Sequence, residues 1–188
     1  PGVRQHAVRV SERLLRKTVT SREGGPDMAA LEERLLAMTS DPSLRVRYQL
    51  AFTLGEWSDS RVGAALARLA LQDGHVTEMH DAVLSSAPGH LAALLRDVLP
   101  PAESDPPHEL VRALTEVAVL QDDEGALIAL LDRVASRGGD SLWAFVAVET
   151  LLDVLGRRNE TWGGFVGAAS TPLRDALTGL SPFWRRVE

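Results

Sequence analysis

An all-α fold is what this sequence predicts, an α-solenoid (superhelix) of about four to five helix pairs stacked side by side. Three observations lead there. Apolar residues recur at helical spacing nearly throughout, and strand-like alternation is nearly absent. Ala and Leu dominate while aromatics are only 5%, which suits helices packed through aliphatic seams. Landmarks also recur. Taking Arg4, Arg47, His80 and Arg112 as equivalent gives spacings of 43, 33 and 32, and Leu155-Gly156 echoes Leu54-Gly55 at a distance of 101. Periods of this size mark arrays in which each pair exposes an apolar face that its neighbour covers. A globular helical bundle is the alternative, and it would satisfy the first two observations equally well.

Element by element, Val3 to about Thr18 reads as a helix with Ala7, Val10 and Leu14 on one face. The polar stretch 21–26 breaks it. Asp27 is placed to cap a helix running to about Met38. Asp41-Pro42 forms a turn, with the proline suited to a first helical turn, and Leu44 to Trp57 is the next helix, closing near Gly55. Residues 61–71 and 76–87 form a pair around the Asp73-Gly74 turn, and 90–99 follows Pro88-Gly89. Residues 100–107, with four prolines, are the most loop-like stretch. Helices are expected over 108–120, 124–136 and 142–157. Beyond them the pattern loosens: Gly163-Gly164 suits a turn, as do Gly24-Gly25 and Gly138-Gly139, and 172–180 reads as a last helix.

At 188 residues the chain is long enough to bury a core, as one domain spanning 1–188. It opens at Pro1, inside what reads as the second helix of a pair, and so is expected to be an excerpt from a longer multidomain protein. A pI of about 5.4 and a formal charge of -6 argue against a general nucleic-acid binder. The charge is uneven, with nine Lys/Arg against six Asp/Glu in residues 1–50 and eleven against twenty in 51–188. The absence of cysteine excludes disulfides, thiolate metal sites, a cysteine nucleophile and covalent c-type haem attachment. No apolar run is long enough to span a bilayer.

Candidate chemistry is sparse. His75, Glu78 and His80 suggest a metal site only superficially: the two histidines are five residues apart, about 140° round a helix, whereas helical zinc sites use i and i+4. His6, His90 and His108 read as surface or packing residues. Asp122-Asp123-Glu124 suits the positive end of a helix. Ser85-Ser86 lacks the Gly-x-Ser-x-Gly elbow, and no phosphate-binding glycine loop is present. No catalytic residue, metal or cofactor is therefore expected. Asp41 with Arg47, and Asp105 with Arg112, are placed to bond across neighbouring turns as a structural ladder. Arg9, Arg13, Arg16 and Lys17 line one face of the first helix, where they could meet phosphate or an acidic partner. Six of nine aromatics fall after residue 140, and of these Phe183 and Trp184 are candidates to meet a following domain.

The turn-and-helix phrase Asp41-Pro42-Ser43-Leu44-Arg45-Val46-Arg47 resembles HEAT repeats. More narrowly, three phrases resemble the helical-repeat segment of large planctomycete and verrucomicrobial membrane-bound dehydrogenases with a c-type cytochrome domain. They are Pro1-Gly2-Val3-Arg4-Gln5-His6-Ala7-Val8-Arg9, the run from Arg45 to Trp57, and Asp81-Ala82-Val83-Leu84-Ser85-Ser86-Ala87. The resemblance covers roughly residues 1–100, and His80 stands where an arginine would be expected. It implies a repeat segment between a propeller-like dehydrogenase domain and a haem domain, in an exported or periplasmic protein. Without a haem-attachment motif, electron transfer is not assigned to this chain.

The expected function is therefore non-catalytic: a scaffold or interdomain spacer whose partners are proteins, with no small-molecule ligand. The rival from another class is a HEAT-like DNA glycosylase holding a duplex on a basic concave surface, and a third is a compact helical bundle with a ligand pocket.

Overall fold

The computed structural model describes residues 1–20, 26–99, 105–137 and 141–184, with only the backbone described for 16–20, 182 and 183. Among the described residues every regular element is helical. In chain order these are α1 (Gly2–Thr20), α2 (Pro26–Ala37), a 3-10 turn (Met38–Ser40), α3 (Leu44–Gly55), α4 (Val62–Asp73), α5 (Thr77–Ser86), α6 (Leu91–Val98), α7 (His108–Leu120), α8 (Glu124–Arg137), α9 (Leu142–Arg157), α10 (Trp162–Ala168), α11 (Thr171–Thr178) and α12 (Ser181–Trp184). None is long and apolar enough to cross a membrane.

The turn chemistry explains the helix starts. Asp41 Oδ1 accepts a hydrogen bond from Ser43 N at 2.9 Å, tightening the Asp-Pro-Ser turn that launches α3. Asp123 Oδ1 accepts from Ala126 N at 3.0 Å at the start of α8, so this member of the acidic triplet is a cap. Ser170 and Thr161 accept from Leu173 N and Gly164 N and cap α11 and α10. Asp27 lies inside the first turn of α2, one residue after Pro26 at the helix start.

The chain divides into two compact units, Pro1–His90 and Leu91–Glu188. In the first, α1 packs on α3 and α3 on α5, while α4 lies against both α3 and α5. In the second, α7 packs on α9, and α8 packs on α6 and α11. Alternate helices in each unit are thus side-by-side neighbours. The seams are aliphatic: Val46, Leu50, Leu54, Leu66, Leu69, Met79 and Val83 are buried in the first unit, and Leu94, Leu110, Leu114, Leu130, Leu151 and Trp143 in the second. A fully buried Leu contributes about 1.5–3 kcal/mol against about 0–1 for an exposed ion pair. The seams, not the surface charges, hold the helices together.

Two expectations change. Gly163-Gly164, read as a turn, lies inside α10, where the Thr161 cap and the Trp162–Phe165 ring contact at 6.3 Å offset the glycines' poor helix propensity. On α1 the face carrying Ala7, Val10 and Leu14 is exposed, and the buried face is Val8, Ser11 and Leu15. The pairs Gly24-Gly25 and Gly138-Gly139 and most of the proline-rich 100–107 stretch fall outside the described residues.

Gly55 is required by a close approach. A Cβ there would lie 2.7 Å from Ser86 Cβ and 2.9 Å from its Cα, on the α3–α5 seam. Gly55→Ala is therefore expected to destabilise the chain by about 1–3 kcal/mol. Gly156→Ala in α9, where nothing lies within 4 Å, is expected to be stabilising by up to about 1 kcal/mol. Urea unfolding of both variants checks the contrast.

Candidate functional site

The Asp-Pro turn before α3 brings together the polar side chains that bind one helix pair to the next. Asp41 and Arg47 meet only through the main chain: Arg47 Nη1 donates to the Asp41 carbonyl oxygen at 2.5 Å. The Asp41 carboxylate instead accepts from Arg4, Nε at 2.8 Å and Nη2 at 3.1 Å. Arg47 is 8% exposed and reaches forward to Asp73, with Nε on Oδ2 at 2.6 Å and Nη2 on Oδ1 at 2.7 Å. Arg4 near the start of α1 thus holds the aspartate of the turn before α3, and Arg47 near the start of α3 holds the aspartate that ends α4, just before α5. The planar guanidinium fork matches a carboxylate twice over.

His80 sits at the next equivalent position and makes no such tie. Its Nδ1 is 3.8 Å from Asp81 Oδ1, and its Nε2 is buried without a hydrogen-bond partner among the described residues. In the second unit Asp105 and Arg112 are not joined to each other. Asp105 accepts from Ser141 Oγ at 3.2 Å, and Arg112 stands 3.7 Å from Glu149. The one-residue longer spacing of that pair carries the arginine past the turn and onto the exposed helix face.

A second cluster lies around Arg61, which the sequence pattern did not single out. Its guanidinium contacts Asp59 at 2.8 Å, Glu32 at 2.9 Å and Glu33 at 2.6 Å, and stands 5.3 Å from the centre of the Trp57 ring. The signal was weak because three carboxylates from two separate segments converge only after folding.

Hydrogen bonds from Arg4 and Arg61 favour the ionised form of Asp41 and Asp59. The hydrogen bond from Arg4 holds the Asp41 carboxyl below the usual range, and that from Arg61 does the same for Asp59. The Asp73 hydrogen bond raises Arg47 further above its ordinary value. Burial pushes His90 down, opposed by the charge of Asp59.

The other sequence-predicted residues are scattered. Arg9 and Arg13 are exposed on α1, and the side chains of Arg16, Lys17 and Phe183 fall outside the described residues. Trp184 is half-buried, edge-on to Trp162 at 5.9 Å. His75 and Glu78 are exposed. Among the described residues no group of three or more His, Cys, Asp or Glu is gathered as metal ligands would be. Ser86 is buried against Gly55, and Ser85 Oγ donates to the Ala82 carbonyl at 2.9 Å.

Among the described residues, the side chains around the turn before α3 form ties between helices. Comparison with protein-family models, curated proteins and solved structures finds no match.

Two predictions follow from these ties. Asp73→Ala leaves a buried guanidinium without its carboxylate and is expected to cost about 3 kcal/mol, near the low end for buried pairs because the site borders solvent. The double replacement Arg47→Met with Asp73→Leu removes both desolvated charges and is expected to cost much less. Urea unfolding separates the two.

The pH dependence has a definite sign. Asp41 and Asp59 have depressed folded-state values, so the unfolded chain binds more protons near and below its own value of about 3.9. Their contribution is present above about pH 4 and is lost as pH falls through the lower folded values. His90 is depressed from about 6.5, so its contribution is present above about pH 6.5 and declines as pH falls below that value. Unfolding free energies at pH 7.5, 5 and 3 are expected to decrease in that order, with His90→Asn flattening only the first step.

Proposed function

We propose that this chain is a HEAT-like array of about four to five helix pairs that acts as a non-catalytic scaffold, either binding other proteins or spacing domains. The observation that carries the reading is the repeated tie, Arg4 to Asp41 and Arg47 to Asp73. Each joins one helix to the turn that introduces its neighbour. Recurrence of such a tie supports successive pairs in a similar register, and the 43-residue step from Arg4 to Arg47 is close to the period of such repeats. The side-by-side packing of alternate helices within each unit supports the same reading, since an array shares its stability between adjacent members.

The resemblance of residues 1–100 to the repeat segment of planctomycete and verrucomicrobial dehydrogenases supports a place in an exported bacterial multidomain redox protein. In that setting the repeats hold catalytic domains in position, and the reaction belongs to those domains.

Hydrogen exchange of the whole chain tests the array. Asp73→Asn is expected to raise exchange in α3, α4 and α5 and to leave α7 to α9 unchanged, because coupling runs between nearest neighbours. Loss of protection throughout would instead indicate a single cooperative bundle. Titration with a DNA duplex at low salt, expected to show no saturable binding, tests the glycosylase alternative.

A further inference from the structure

Helix α3 has α1 and α5 on its two flanks and the 3-10 turn and α4 behind it. Its remaining side is bare although neither flank is missing. Tyr48 and Phe52 stand there edge to face at 5.1 Å, with Phe52 37% and the adjoining Leu44 38% exposed. The corresponding places on both neighbours are polar. Moving 43 residues back from Tyr48 and Phe52 gives Gln5 and Arg9 on α1, and moving 33 forward gives Asp81 and Ser85 on α5. An aromatic pair inside a polar surround has the make-up of an interface centre.

That surround is divided by sign. Arg9 and, one turn further, Arg13 are exposed on α1, while Glu78 and Asp81 are exposed on α5. Arg9, Arg13 and Glu78 have no hydrogen-bond or ion-pair partner among the described residues, and Asp81 has only His80 Nδ1 at 3.8 Å. The two sets also stand at one height. Glu12 Oε1 accepts from Gln49 Nε2 at 3.2 Å and from Thr53 Oγ1 at 2.9 Å, which sets Arg9 and Arg13 level with the middle of α3. Gly55 abuts Ser86, which sets Glu78 and Asp81 level with the same stretch, to within about one turn. Across the layer the outward face reads cation, aromatic, anion.

We propose that this outward face of α1, α3 and α5 pairs with a second copy of the chain. A twofold axis running along α3 lays α3 parallel to its copy and sets α1 of each copy against α5 of the other. Arg9 and Arg13 then meet Glu78 and Asp81 on both sides of the Tyr48 and Phe52 rings of the two copies. An axis across the helices would instead set arginine on arginine and carboxylate on carboxylate. Arg45 comes near its own copy at one end of α3, but it shares a groove with Glu78, which offsets that approach. A nucleic-acid backbone or an anionic bilayer would be repelled by Glu78 and Asp81. Three helices about 9 Å apart and some 15 Å long present the area of a weak, exchanging dimer. The inference goes beyond the scaffold reading and needs only the α1–α3–α5 layer.

Sedimentation equilibrium of the whole chain in low-salt buffer, from micromolar to half-millimolar concentration, tests the pairing. A monomer–dimer equilibrium is expected, weakening as salt rises. Phe52→Asp is expected to weaken it at least about tenfold with the helical circular dichroism intact, since that side chain is already exposed. Arg9→Glu with Arg13→Glu, or Glu78→Lys with Asp81→Lys, should each weaken it similarly. Mixing these two doubly substituted chains should restore association, and so should combining all four changes in one chain, because each puts opposite charges face to face again.

A monomer at every concentration would overturn the proposal. So would a dimer indifferent to Phe52→Asp, or one that neither the mixture nor the fourfold chain recovers. Recovery in the mixture alone would also overturn it, since that pattern sets α1 against α1. None of these outcomes alters the hydrogen-exchange contrast set by Asp73→Asn, so the pairing and the array reading fail separately.

Discussion

A helix with a broad aliphatic flank is not covered by a single neighbour, and that constraint organises both units of this protein. Helix α3 shows the consequence: it lies between α1 and α5 and also against α4, and Val46, Leu50, Ala51 and Leu54 are fully buried as a result. Removing any one neighbour would return part of this surface to water at about 25 cal/mol per Å². The covering is mutual, since α3 in turn shields part of α1, α4 and α5. Helix α1 illustrates the converse, with one flank against α3 and the other open.

Polar interactions take a different part in the same design. The Arg47–Asp73 pair is nearly buried, and its desolvation cost offsets much of its Coulombic gain. Its value lies in register: a two-pronged contact between a helix and a turn fixes how far one pair slides along the next, which aliphatic seams alone do not. Gly55 acts to the same end by letting the α3 backbone meet Ser86 without an intervening side chain. His80, near the start of α5, makes no comparable tie: its Nδ1 stands 3.8 Å from Asp81 Oδ1. Arg61 then supplies a separate lock, joining α2 to the turn before α4 through Glu32, Glu33 and Asp59.

The proposed scaffold role rests on what these contacts do. Many of the polar side chains serve helix-to-helix ties and caps, such as Arg47 on Asp73, Asp123 on α8 and Asp41 on its own turn.

Local periodicity determined the helices almost entirely. The bounds 108–120 and 142–157 read from the pattern are those of α7 and α9, because amphipathic spacing and turn residues act over a few positions and need no partner. Helix α10 escaped notice because two glycines hide a segment held by a cap and by ring contacts from outside it. The aspartate that each arginine grips was likewise decided by folding. Arg47 has Asp41 six residues away and Asp73 twenty-six away, and nothing in local sequence ranks them; the distance across neighbouring helices does. The same holds for which side of α1 is core, since Val8 and Leu15 or Val10 and Leu14 are equally apolar choices until α3 packs against one of them.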